Sequence, residues 1–336
     1  MSSTAALVGS YIAFIMGIFG FFGNGCILVA VARIKKLQTK CGLLMALIAL
    51  YDTIIIVFLY FQALIFILEI ELTTRKCFNA VFLYIFVQHM HLATVFSVAV
   101  DRLCSIVFPV LYRTINAKNW IIYTMIPGLI LNAIFLPWGY FVTNDKPVEG
   151  CDPPTALPDA AALWWSRLIM TINIVIVVIY ISVYVAIQIN SRKFSTSNHD
   201  TQAKNFFELQ KKAMRTVSLI IVVLCSTVFV TQTICILFFD APELTEHAWF
   251  LSVVDLASVP VMFQYSLNYY VYFWRSSEYR EYSLNYYVYF WRSSEYREVF
   301  KEQLYAMFPF LRKLFDNKML FVKKATVSQA TTTGHN

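Results

Sequence analysis

Charge inside the long apolar stretches of this chain is nearly confined to Asp52, the adjacent pair Asp101–Arg102, and Asp255. Ionisable groups are costly in hydrocarbon, so they face one another or a wet interior and mark functional positions. Asp101–Arg102 stands at the end of its apolar stretch. Such an arginine can snorkel to headgroups. Alternatively the aspartate can hold it in one state and free it for a partner in another, and Pro109 and Tyr112 just beyond favour this switch. Asp52 is the most buried-looking acid. His89 and His91 raise a metal reading, but two positions apart on a helix they point to different sides, and no Cys/His cluster completes a site. No clustered nucleophile or metal set points to an enzyme, and no metal is expected.

The elements that must hold these groups follow from composition. The 336 residues are 59% apolar and 14% charged, with 17% aromatics. A soluble domain carries roughly 25% charge and 45–50% apolar residues. A soluble enzyme, a disordered chain and a nucleic-acid binder are therefore disfavoured. A bilayer-spanning helix needs about 20 mostly apolar residues. Seven stretches qualify: about 7–32, 43–68, 77–108, 120–142, 163–189, 213–239 and 249–274. The first lacks a basic leader and its apolar run is too long for a signal peptide, so a retained span is expected. The expected fold is an all-α membrane protein, a seven-transmembrane helix bundle over 7–274, preceded by a short segment 1–6.

Lysine and arginine crowd the segments after spans one, three, five and seven, whereas the other connections are acid-rich. The positive-inside rule then puts the N-terminus outside and the C-terminus inside, with the formal net charge of +7 on the cytoplasmic face. The external N-terminus is too short for a ligand-binding ectodomain, so helices and short loops must meet any ligand. Cys77 and Cys151 both face the oxidising side and form the natural disulfide pair.

Five motifs appear in order at compatible depth: Gly23-Asn24, Ala49-Leu50-Tyr51-Asp52, Cys77 placed 25 positions before Arg102, Asp101-Arg102 with Pro109 and Tyr112, and Asn268-Tyr269-Tyr270-Val271-Tyr272. They resemble the rhodopsin-like G-protein-coupled receptors. Thr74-Arg75-Lys76-Cys77-Phe78, the run Cys151-Asp152-Pro153-Pro154, and the stretch from Asn268 through Trp274-Arg275 to Arg280 resemble the nematode chemoreceptors of serpentine receptor class sx, over about 20–304. The resemblance implies a multi-pass plasma-membrane receptor that passes an external small-molecule or peptide ligand to a heterotrimeric G protein. It implies that Asp101 and Arg102 form the switch, with Tyr184 (or Tyr180), Asn268 and Tyr272 assisting. It implies a polar core of Asn24 and Asp52. The span-three position facing Asp52, eleven before Arg102, usually carries a small hydroxyl; here it is His91. An Asp52–His91 pair would displace sodium and make the switch pH-dependent; the blander reading is a neutral histidine satisfied by a backbone carbonyl or water. Gln210 stands where many relatives have an acid, with Glu208 nearby, so a weak lock and basal activity are expected.

Family hallmarks are also missing. Span six has neither tryptophan nor proline, span five has no proline, and Tyr269 replaces a proline. Span seven has no lysine to hold retinal, and Tyr84 stands where amine receptors have an aspartate, so light and biogenic amines are disfavoured and no cofactor is expected. The pocket is expected between the outer halves of spans three, five, six and seven, with Tyr84, Gln88, Gln232, Ser258 and Met262, and Gln62 from span two. Asp255 is positioned to bind a cationic group or to pair with Arg167. For each of these, ordinary helix packing is an equally good account.

Residues 265–281 and 282–298 are identical. Only one copy fits the family pattern. The first continues span seven, so Asn268 and Tyr272 are the expected switch residues. Asn285 and Tyr289 then fall in a membrane-surface region, 275–325, ahead of a polar tail from 326. Each copy holds two arginines and two glutamates, so it adds aromatics without net charge. A seven-span ligand-gated channel or transporter is the alternative. It predicts charged pathway residues in several helices and inverted repeats, neither of which is visible.

Overall fold

The computed structural model divides the chain into two compact units, Met1–Ser276 and Ser277–Asn336. It describes residues 4–148, 151–195, 221–222 and 225–275, all in the first unit. The helices are α1 (Thr4–Arg33), α2 (Lys40–Ile67), α3 (Thr74–Val107), α4 (Pro109–Thr114), α5 (Ala117–Val142), α6 (Pro153–Ala156), α7 (Asp159–Ser195), α8 (Cys225–Asp240), α9 (Pro242–Thr245), α10 (Ala248–Asp255), α11 (Ser258–Ser266) and α12 (Asn268–Arg275). Among the described residues, six helical stretches are long and apolar enough to cross a membrane: α1, α2, α3, α5, the Asp159–Ile189 part of α7, and Ala248–Ser266, which joins α10 to α11. The described part of span six, α8, is a shorter apolar helix.

The bundle is apolar outside and tightly packed inside. Val8, Tyr11, Ile15, Ile18 and Phe22 on α1, and Ile122, Ile126, Leu129 and Phe141 on α5, are exposed. In water such faces would drive association; against lipid they are the solvated surface. The inner stripe of α1 is small: Ala6, Gly9, Ala13, Gly17 and Gly20 are buried. Small residues at that spacing let helices approach closely where lipid removes the hydrophobic drive between them. Gly128 on α5 does the same against α3, where an added Cβ would lie 2.8 Å from Met90 Sδ and 3.1 Å from its Cα. α3 is the most deeply buried span.

Two features depart from the all-helical, seven-rod expectation. β1 (Leu72–Thr73) and β2 (Pro147–Val148) pair antiparallel, with Leu72 opposite Val148. This two-stranded ribbon ties the start of α3 to the segment after α5. Span seven, expected as one helix over 249–274, is three helices. The first break falls at Leu256–Ala257. Pro260 explains it: the ring cannot donate to the carbonyl four residues earlier, which is Leu256, and clashes with it. Leu256 N–H still makes the ordinary helical bond to the Ser252 carbonyl, and Ala257 N–H bonds three residues back to Val254, tightening the last turn of α10. The second break, at Leu267, has no proline or glycine beside it, and nothing in the structure explains it.

Candidate functional site

Cys77, at the start of α3, is bonded to Cys151, with Cα atoms 5.5 Å apart across 74 positions. The bridge and the β1–β2 ribbon hold the segment after α5 over one end of the bundle. α6 follows Cys151 directly, and Asp152 caps it: its Oδ1 accepts from Thr155 N–H at 2.8 Å, while Thr155 Oγ1 accepts from Asp152 N–H at 3.1 Å. This reciprocal capping box satisfies donors that so short a helix leaves open.

Beneath this cover lies a cavity of about 540 Å³. Tyr84, Gln88, Gln232, Asp255, Met262 and Gln62 all line it. The side chain of Ser258 lies outside the described residues. Asp255 does not pair with Arg167; Arg167 Nη2 reaches Asp240 Oδ2 instead, at 2.5 Å.

His91 lines the cavity on one side and meets the polar core on the other. Its Nε2 lies 3.0 Å from Asp52 Oδ1, an ion-pair distance, although the N–H is not aligned as a hydrogen-bond donor. Asn268 Nδ2 donates to Asp52 Oδ2 at 2.8 Å. Asp52 is fully buried. A carboxylate so placed needs close donors or cations, and spans three and seven supply them. Asn24 is also fully buried, but it does not join Asp52: its Nδ2 donates to the Tyr265 carbonyl at 3.0 Å, linking α1 to α11. The Tyr265 ring packs edge-on against His91, centroids 5.4 Å apart.

Sequence reasoning did not find a second buried network. His89 points away from His91. Its Nδ1 lies 2.8 Å from Asn132 Oδ1, and Trp165 Nε1–H donates to its Nε2 at 2.8 Å. Because indole only donates and the amide oxygen only accepts, the ring must be neutral with its proton on Nδ1. Asn132 Nδ2 then donates to the Phe86 carbonyl at 3.2 Å. One imidazole thus joins α3, α5 and α7, and Trp165 also lines the cavity. An asparagine in an apolar span was the available signal.

At the opposite end of α3, Arg102 Nη2 lies 2.5 Å from Asp101 Oδ2, and Tyr112 Oη–H donates to Asp101 Oδ1 at 2.7 Å. Asp101 is fully buried and Arg102 nearly so. Tyr112 is itself held. Lys40 Nζ donates to its backbone carbonyl and sits 4.0 Å from its ring centroid, with Trp120 edge-on to that ring. The Asp101–Arg102 pair is therefore tied to α4, α2 and α5.

Tyr184 is not brought to this cluster; it is 60% exposed on the outer face of α7, whereas Tyr180 is buried. The buried stripe of α7 explains the difference. It runs Ser166, Ile169, Asn173, Ile176, Tyr180, Val183, Ile187, and Tyr184 steps off it. Glu208, Gln210, Asn285 and Tyr289, and the Tyr272 side chain, lie outside the described residues.

A seven-helix membrane bundle with a disulfide-tied cover, a buried aspartate joined to span seven, and an Asp-Arg pair ending span three defines a multi-pass receptor class. The family model described as serpentine type 7TM GPCR chemoreceptor Srsx matches residues 17–283, and the chain belongs to that family. A comparison with curated proteins finds no match.

Proposed function

We propose that this protein is a plasma-membrane chemoreceptor that transmits binding of an external ligand to a heterotrimeric G protein. Its N-terminus is outside, and the disulfide-covered cavity opens to the exterior. The ligand sits in that cavity among Tyr84, Gln88, Gln232, Asp255 and Met262. Arg102 is the group released to the G protein, with Asp101 its restraint and Tyr180, Asn268 and Tyr272 aligning the open state. Of the segment 275–325, the residues from 276 onward lie outside the described residues. Membership of a chemoreceptor family and a disulfide suited to the oxidising side both support this reading.

The observation that carries it is the position of His91, which borders the cavity and lies 3.0 Å from Asp52. A ligand that moves His91 changes the surroundings of a buried carboxylate bonded to span seven. A bundle with two packings of similar energy responds to such a differential contact by shifting population. The shift ends at the Asp101–Arg102–Tyr112 cluster, where opening frees the guanidinium. A ligand screen with a second-messenger readout, run with wild type and Arg102→Ala at equal surface expression, tests this. A response lost in Arg102→Ala supports it. A ligand-evoked current that survives G-protein inhibition and Arg102→Ala contradicts it.

A further inference from the structure

The cavity has a definite chemical character. Its acidic lining residues are Asp152, on the disulfide-tied cover, and Asp255, on α10; the ionisable base in the lining, His91, faces Asp52. No lysine or arginine is among the described residues that line it. The arginine close in sequence to its rim, Arg167, is paired with Asp240. Asp152 turns only Oδ1 toward Thr155, leaving Oδ2 without a bond to α6. Asp255 makes no ion pair among the described residues and is half-buried.

Four residues of the cavity wall carry polar atoms that are buried and lack a hydrogen-bond partner: Gln62 Nε2, Gln88 Oε1, Thr231 Oγ1 and Gln232 Oε1. Gln232 is the most telling, because the whole residue is only 5% exposed. An amide oxygen left unpartnered in such a place is costly, and a donor supplied by a ligand would recover that cost. The two amide oxygens and the hydroxyl come from spans three and six, so a single small molecule bridges both helices when it donates to them.

We propose that the cavity takes a small organic cation: an ammonium compound whose charge lies between Asp152 and Asp255 and whose body donates hydrogen bonds to Gln88 and Gln232. This rests on the receptor reading above for its sidedness and deepens it by naming the ligand class. The cation is met from the cover and span seven; span three contributes Tyr84 at the depth where an aspartate would hold an amine. A cavity of about 540 Å³ suits a molecule of drug-like size. Acids lining a low-dielectric cleft focus its potential and raise the local concentration of cations.

Cys235 offers a direct test, since this free thiol also lines the cavity. The receptor on intact cells is treated with two membrane-impermeant thiol reagents of similar size. One is 2-(trimethylammonium)ethyl methanethiosulfonate and the other is the 2-sulfonatoethyl analogue. In each, the cysteine thiolate attacks the sulfenyl sulfur, a disulfide forms and methanesulfinate leaves. Rates are normalised to those with a free thiol, and Cys235→Ala sets the background. The expected result is labelling at least about tenfold faster by the cation. Asp255→Asn should reduce that preference severalfold, and Asp152→Asn likewise. If Asp152→Asn fails to reach the surface because the cap of α6 is lost, Asp255→Asn carries the test alone. Equal rates, faster labelling by the anion, or a preference unchanged in Asp255→Asn would overturn the proposal. The readout needs no G protein, so a cation-selective cavity in a protein that activates none would remove the receptor reading and leave this one standing.

Discussion

His91 Nε2 stands 3.0 Å from Asp52 Oδ1, so the floor of the cavity and the buried acid of span two are in contact. Asp52 is held on its other oxygen by Asn268 at 2.8 Å. Three spans therefore meet at one carboxylate, with a histidine where a small hydroxyl was expected.

Replacing His91 by serine should open the space beside Asp52 to sodium. Basal and stimulated signalling are expected to become sodium-sensitive and less dependent on pH. Dose–response curves at two sodium concentrations and three pH values measure this. Unchanged sodium and pH responses would show that Asp52 and His91 do not act as a pair.

Tyr112→Phe should raise basal activity. The hydroxyl donates to Asp101 at 2.7 Å, and its loss weakens the cluster that holds Arg102. A hydrogen bond to a charged group is worth about 1.5–3 kcal/mol, so the active fraction should rise by about tenfold or more if the bond is confined to the inactive state. Second-messenger levels without ligand, at matched surface expression, give the answer. A fall in basal activity would mean that Tyr112 supports the active state instead.

Serine at Cys77 or Cys151 should strongly reduce surface expression. Closing a long loop stabilises by about 4 kcal/mol in the chain-entropy picture, and stability losses of that kind lower abundance severalfold. The double substitution should be no worse than either single one, since each already removes the whole bridge. Flow cytometry of tagged variants checks this. Additive losses would indicate separate roles for the two thiols.

His89→Leu should destabilise the bundle by about 1–3 kcal/mol, because it leaves the Trp165 N–H and the Asn132 oxygen buried without their partner. Trp165→Phe should cost less once His89 is gone, giving a coupling of about 1 kcal/mol in a double-mutant cycle. Thermal unfolding of purified variants in detergent measures it. Simple additivity would show that the indole and imidazole do not depend on each other.

The spans and the bridge were readable from composition because lipid allows few backbone solutions and long apolar runs with charged connections announce them. Asp52 and Asn268 are 216 positions apart and were expected in separate groups, the polar core and the switch; no local pattern links them. His89, Asn132 and Trp165 escaped because each looks like an isolated polar residue in its own span. Their relation exists only once α3, α5 and α7 pack. Tyr180 and Tyr184 are one turn apart, and propensity cannot say which lies on a stripe that advances by three and four alternately. The broken span seven was foreshadowed by Pro260, whose partner carbonyl at Leu256 marks where the helix ends.

The most direct test of the central claim is nucleotide exchange on purified heterotrimeric G proteins by receptor reconstituted in vesicles. Wild-type protein should accelerate exchange above receptor-free vesicles on at least one G protein, and Arg102→Ala should abolish that acceleration while retaining the folded bundle. Exchange that is absent with every G-protein class, or that persists undiminished in Arg102→Ala, would contradict the account.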